Sequence, residues 1–98
     1  MLIKIHSSYR SVVAVCDTEL LGKEFEQGKL AIKLEESFFK GEEKSEKEII
    51  EDLKRAADED ATFNIVGKQS VAAAIKAGII KESGITKIQD IPIALVLL

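Results

Sequence analysis

The order of apolar patterns along this sequence predicts an α+β domain, a two-layer sandwich with a mostly antiparallel sheet and two principal helices. Three observations carry that expectation. Short segments near positions 2–7, 12–15, 29–34 and 62–66 alternate apolar with polar residues or are β-branched throughout, the signature of strands. Two segments, 45–59 and 68–77, show helical spacing with start and stop signals. The connections leave little room for parallel crossovers, so hairpins should join most strands. At 98 residues, with one proline and six glycines, the chain should form a single domain over 1–98.

The elements follow in order. Leu2 to Ser7 alternates, and Val12-Val13-Ala14-Val15 is apolar on both faces, as in a strand that is central or covered twice. Ser8-Tyr9-Arg10 is short enough to join the two as a hairpin. Asp17 or Thr18 can cap a brief helical turn through Leu20-Leu21, which Gly22 stops. Lys29 to Leu34 sets Leu30, Ile32 and Leu34 against Lys29, Ala31 and Lys33, which is a half-buried strand. Phe38-Phe39 continues or follows it, and Gly41 marks a turn. The clearest helix runs from Ser45 to about Glu59. Ser45 and Glu48 form a capping box, and Ile49, Ile50, Leu53, Ala56 and Ala57 share one face. Glu51 and Arg55 are placed for an i,i+4 ion pair.

Thr62-Phe63-Asn64-Ile65-Val66 reads as a strand ended by Gly67. An alanine-rich second helix starts at Lys68 or Ser70 and runs to Ala77, with Gly78 as its left-handed terminator. Its alanines at 72, 73 and 74 allow a close approach to a sheet. From Ile85 the chain is largely apolar, and a strand is expected after Pro92. The core is aliphatic, because there are five aromatic residues and no tryptophan.

Charge is unevenly placed. Of the net −3, residues 35–60 carry eleven acidic against five basic side chains, while the segments on either side are weakly basic. That acidity suits a solvated surface helix, and the overall charge argues against nonspecific nucleic-acid binding. One cysteine, Cys16, supplies neither an internal disulfide nor a metal cluster and fits a reducing compartment. No apolar run approaches the ~20 residues of a membrane span, and no signal peptide is evident at Met1 to His6. The expected location is cytoplasmic, with no membrane association.

Few residues invite chemistry. Cys16 and His6 would need to meet as nucleophile and base. A two-residue hairpin loop puts them on opposite faces, and a three-residue loop pairs His6 with Val12, leaving Cys16 ~13 Å away. Neither makes a dyad, so Cys16 is expected to be a small buried hydrophobe. Gly67-Lys68-Gln69-Ser70 lacks the earlier glycine of a nucleotide-binding loop, since position 62 is Thr. It is still a strand, a glycine turn and a helix start, whose free N–H groups suit an anion. Asn64, Gly67, Lys68 and Ser70, with Asp17 and Lys23 from the other turn, are therefore the candidate ligand-binding residues. No catalytic residue, no metal ligand and no cofactor is indicated.

Three stretches carry a resemblance. Ala14-Val15-Cys16-Asp17-Thr18-Glu19-Leu20-Leu21-Gly22-Lys23, Phe38-Phe39-Lys40-Gly41 and Asn64-Ile65-Val66-Gly67 together resemble the small archaeal family catalogued as domain of unknown function 424. The resemblance runs over nearly the whole chain and implies an archaeal protein with an α+β fold and no assigned activity. Members tend to carry a histidine after the C-terminal proline, where this sequence has Ile93 after Pro92.

These observations favour a non-catalytic binding or adaptor domain. One alternative is a small enzyme or anion-binding protein using the Asn64–Ser70 turn, which a pocket joining that turn to Asp17–Lys23 would support. Another is an RNA- or ribosome-associated module using the basic ends of the chain. Ile93-Ala94-Leu95-Val96-Leu97-Leu98 has no charged gatekeeper, so that strand is either central or covered by a second copy in a homodimer.

Overall fold

The computed structural model describes residues 1–97; Leu98, the last of the C-terminal apolar run, lies outside them. The chain forms β1 (Leu2–His6), β2 (Val12–Cys16), a 3-10 turn (Thr18–Leu20), β3 (Glu24–Gln27), β4 (Leu30–Lys33), α1 (Glu36–Phe39) and β5 (Glu42–Glu43). It continues with α2 (Glu46–Asp58), β6 (Thr62–Val66), α3 (Lys68–Lys76), a 3-10 turn (Glu82–Gly84), β7 (Thr86–Ile88) and β8 (Ile91–Val96). Six strands make one sheet in the order β5-β1-β2-β6-β8-β7, and β3 pairs with β4 as a separate hairpin. The α+β class and the mostly antiparallel sheet stand.

Within the sheet, β2 and β6 run parallel, with Cys16 opposite Val66 and Val13 opposite Phe63. The crossover between them contains the β3–β4 hairpin, α1, β5 and α2. These central strands are apolar on both faces because both faces are covered. On one face α2 and α3 pack Ile49, Leu53, Ala73 and Ala74 against Val13, Val15, Phe63 and Ile65. On the other, Leu20, Leu34 and Phe39 bury Ala14, Cys16, Val66 and Ile93. The two principal helices thus form one layer, while the 3-10 turn, the small hairpin and α1 cover part of the opposite face.

Helix α2 begins as its sequence dictates. The Ser45 hydroxyl accepts the Glu48 N–H, the Glu48 carboxylate accepts the Ser45 N–H, and Leu53 is fully buried. Burial of that leucine contributes ~1.5–3 kcal/mol. The ion pair on this helix differs from expectation. Arg55 bonds Asp52 one turn back at 3.1 Å instead of Glu51, and Asp52 also holds Lys44 at 2.7 Å.

The β1–β2 register pairs His6 with Val12 and Leu2 with Cys16, so the histidine and the cysteine share a face at opposite ends of the hairpin. The C-terminal hairpin also differs from expectation. The turn Gln89-Asp90, with φ of 50° and 64°, joins β7 to β8, and β8 begins before Pro92. Pro92 is tolerated inside the strand because it sits where β6 has ended. Its carbonyl accepts the Gly67 N–H at 2.9 Å, and the Gly67 carbonyl accepts the Val71 N–H instead of a ladder bond from position 92.

Candidate functional site

The two turns singled out in the sequence meet at the C-terminal ends of the parallel pair. Asp17 follows β2 directly, and its N–H donates to the Val66 carbonyl at 3.1 Å. Gly67, at φ 113°, turns the chain from β6 into α3 and occupies the N-cap, where it has no side chain to cap the helix. Asp17 supplies that cap from a distant part of the sequence. Its Oδ1 accepts the Ser70 N–H and the Ser70 hydroxyl, each at 2.8 Å, and its Oδ2 accepts the Gln69 N–H at 3.1 Å. Asp17 and Ser70 are the two buried polar residues of the described chain. The carboxylate suits its place, since unpaired N–H groups and the positive end of the helix dipole both face it.

Gly67 is required there twice over. A Cβ at position 67 would stand 2.4 Å from the Asp17 Cγ, and a φ of 113° disfavours any other residue. Asp17, Gly67 and Ser70 are therefore in one cluster, and the exposed Lys68 flanks it. Asn64 and Lys23 are elsewhere. Asn64 is half-buried on β6 in register with Ala14 and Leu95. Lys23 is exposed, and its backbone ties the 3-10 turn to Leu34 through bonds of 3.0 and 2.9 Å. An external anion at the start of α3 would have to displace Asp17.

Cys16 lies beside this joint with no exposed surface. Burial, and next the Asp17 carboxylate, push its thiol up to about 11. It is thus protonated at neutral pH and a poor nucleophile. His6 stacks on Phe38 with ring centroids 4.7 Å apart, and its Nε2–H donates to the Phe38 carbonyl at 2.9 Å. That bond fixes α1 against β1. Among the described residues, no cluster of His, Cys, Asp or Glu could hold a metal ion, and no helix is long and apolar enough to cross a membrane.

Two clefts among the described residues bear on the site. One, of about 310 Å³, lies where Gly41 passes β1 and is lined by Lys4, Lys40, Glu42, Lys44 and Asp52. Lys44 bonds Asp52 there, and the Lys4 ammonium donates to the Ser37 carbonyl at 3.0 Å. The other, of about 400 Å³, runs between the small hairpin and the C-terminal strands, lined by Leu30, Ile32, Thr86, Ile88, Ile93 and Leu95. Leu30 is 48% exposed and Leu95 59%, with Leu97 beyond them at 77%.

Beside this groove the pairing of β7 with β8 stops short of the end of β8. Pro92 directs its carbonyl at β6, and polar groups alternate along a strand, so Ala94 and Val96 also face β6. Ile91 and Ile93 face β7, where they meet Ile88 and Thr86. Leu95 points the same way, but β7 begins only at Thr86, and the described residues place no strand opposite Leu95. Over its described residues, the C-terminal apolar run is paired on both sides at Ile93 and with β6 alone from Ala94 to Val96. Leu30 and Thr86 carried no site signal in the sequence, because their role comes from the packing of two hairpins.

A model of the family described as "Protein of unknown function (DUF424)" matches residues 5–98. The chain belongs to this family. Among solved structures, the chain is similar to an uncharacterized conserved protein from Methanopyrus kandleri, known from its crystal structure. The TM-score is 0.87 at 23% identity, covering 97% of this chain and 88% of that one, so the likeness is one of fold. No curated protein matches the sequence significantly.

Proposed function

We propose that this DUF424 chain is a non-catalytic binding domain that engages its partner through the groove between β4 and β7–β8 and the adjoining open edge of β8. The carrying observation is the cluster of exposed Leu30, Leu95 and Leu97 beside a strand end that the pairing with β7 does not reach. Apolar patches of this kind mark interaction sites on soluble domains, and an unpaired strand end is a template for another strand. Asn64, level with Leu95 on the same sheet face, adds an amide that can fix orientation. The bonds from Gln69 and Ser70 to Asp17 support reading the start of α3 as a structural joint, with Asp17 in the place an anionic ligand would need.

The test is to cross-link tagged wild-type protein and the Leu30→Lys variant in the native host and identify the protein and RNA bound to each. Loss of wild-type partners from a variant with an unchanged melting curve is the expected result. An identical set of partners on both proteins would refute this surface.

A further inference from the structure

We infer that the open edge of β8 pairs with the same edge of a second copy of this chain, giving a two-fold dimer with one sheet continuous across both. The inference rests on the binding surface proposed above and names its occupant.

Charge selects that occupant. The strand from Ile91 to Val96, and Leu97 after it, carry no charged side chain, so pairing it with itself buries no charged side chain. The opposite edge of the sheet is β5, whose Glu42 and Glu43 are both exposed, and such charges discourage strand addition. A head-to-tail contact between β8 and β5 would lay leucines against carboxylates and could propagate into filaments. A contact of β8 with β8 is closed and needs no other surface.

The alternation along β8 fits a two-fold axis. Leu95 directs its N–H and C=O outward, and residue 97 follows in the same direction two positions on. If Val96 lies on the axis, Leu95 of each copy stands opposite Leu97 of the other. Both pairs are then of the hydrogen-bonded kind. Leu95 lies on the sheet face that carries Ile93 and the groove, and extending the strand by one residue past Val96 would put Leu97 on that face too. The second copy's leucines thereby extend the apolar wall formed by Leu30 and Leu95. Val96, packed against the helix-side core, meets its own symmetry mate on the other face.

The test uses purified full-length protein alone. Sedimentation equilibrium over a dilution series should show a monomer–dimer equilibrium, and Leu95→Lys or Leu97→Lys should weaken it by roughly 100-fold or more, since symmetry places each substitution at both ends of the contact. A monomer at every concentration up to the millimolar range, or a dimer that both substitutions leave unchanged, would overturn the inference. Amide exchange of the unmodified protein gives a second readout that depends on no variant. The Leu95 N–H should become more protected as concentration rises, and a rate independent of concentration would also overturn it. In either failure, loss of host partners from Leu30→Lys would still uphold the binding surface with a different occupant. An unaltered partner set would remove that surface too.

Discussion

The link from Asp17 to α3 gives the sharpest quantitative expectation. In Asp17→Ala three hydrogen bonds to a buried carboxylate disappear, leaving the N–H groups of Gln69 and Ser70 and the Ser70 hydroxyl without their partner. A hydrogen bond to a charged group contributes ~1.5–3 kcal/mol, and the helix dipole adds ~0.3–1 kcal/mol. These contributions overlap, and water entering the vacated space offsets part of the loss. The expected destabilisation is about 3–5 kcal/mol, which for a domain of this size lowers the melting temperature by more than ~10 °C. Urea and thermal unfolding should agree on the value. Asp17→Asn should cost less, about 2–3 kcal/mol, because one oxygen is kept while the new amide opposes an N–H. Gly67→Ala tests the geometry from the other side, since its Cβ would strike the Asp17 carboxylate. In the Asp17→Ala background that collision is gone, so the two losses should sum to less than additivity requires. A loss below ~1 kcal/mol for Asp17→Ala, or strict additivity with Gly67→Ala, would refute the account of the joint.

Three further expectations follow from other parts of the molecule. Sulfate, relative to chloride at matched ionic strength, should stabilise Asp17→Ala more than the wild type, read as a shift in melting temperature; equal gains would be a general salt effect and would refute the idea that Asp17 fills an anion position. Cys16 should resist thiol reagents at neutral pH. Its pKa is raised in the folded state, so its contribution is present below the ordinary thiol value of 9.0 and is lost as pH rises from there through about 11, a decline of ~2–3 kcal/mol that Cys16→Ala should lack in pH-dependent unfolding. Leu53→Ala should cost ~2–5 kcal/mol in denaturant unfolding, because the side chain is fully enclosed between α2 and the sheet.

What the sequence made legible were elements whose signals are local. The capping box at Ser45 and Glu48, the glycine at the end of α3 and the alternation in β6 each need only a few neighbouring residues to be read, and each sits where the pattern places it. Strand β3 escaped because Glu24-Phe25-Glu26-Gln27 holds a single apolar residue, too little for a period of two. Its pairing depends instead on the two-residue turn Gly28-Lys29 and on the register that sets Phe25 opposite Ile32. Pro92 misled for a different reason. Proline argues against a strand interior only where its N–H is needed, and here the facing residue is Gly67, whose carbonyl is already engaged by Val71.

The candidate site shows the same limit on a larger scale. Asp17 and Ser70 are 53 positions apart, and a sequence can show that one could cap a turn and the other could start a helix, but not that they serve each other. Their meeting follows from the parallel pairing of β2 with β6. Once Cys16 lies level with Val66, the residue leaving β2 is carried to the place where Gly67 opens α3. An anion-compatible helix start and an acidic residue at the end of a neighbouring strand are complementary, so the fold that juxtaposes them also satisfies both. The same topology then determines where exposed surface remains. The joint closes one end of the sheet with the chain's own polar groups. At the far side, β7 is only three residues long against six in β8, and its pairing does not reach the last part of β8 near Leu30. On the reading proposed above, the polar groups of the joint serve the fold, and recognition falls to the apolar side chains and strand backbone beside the small hairpin.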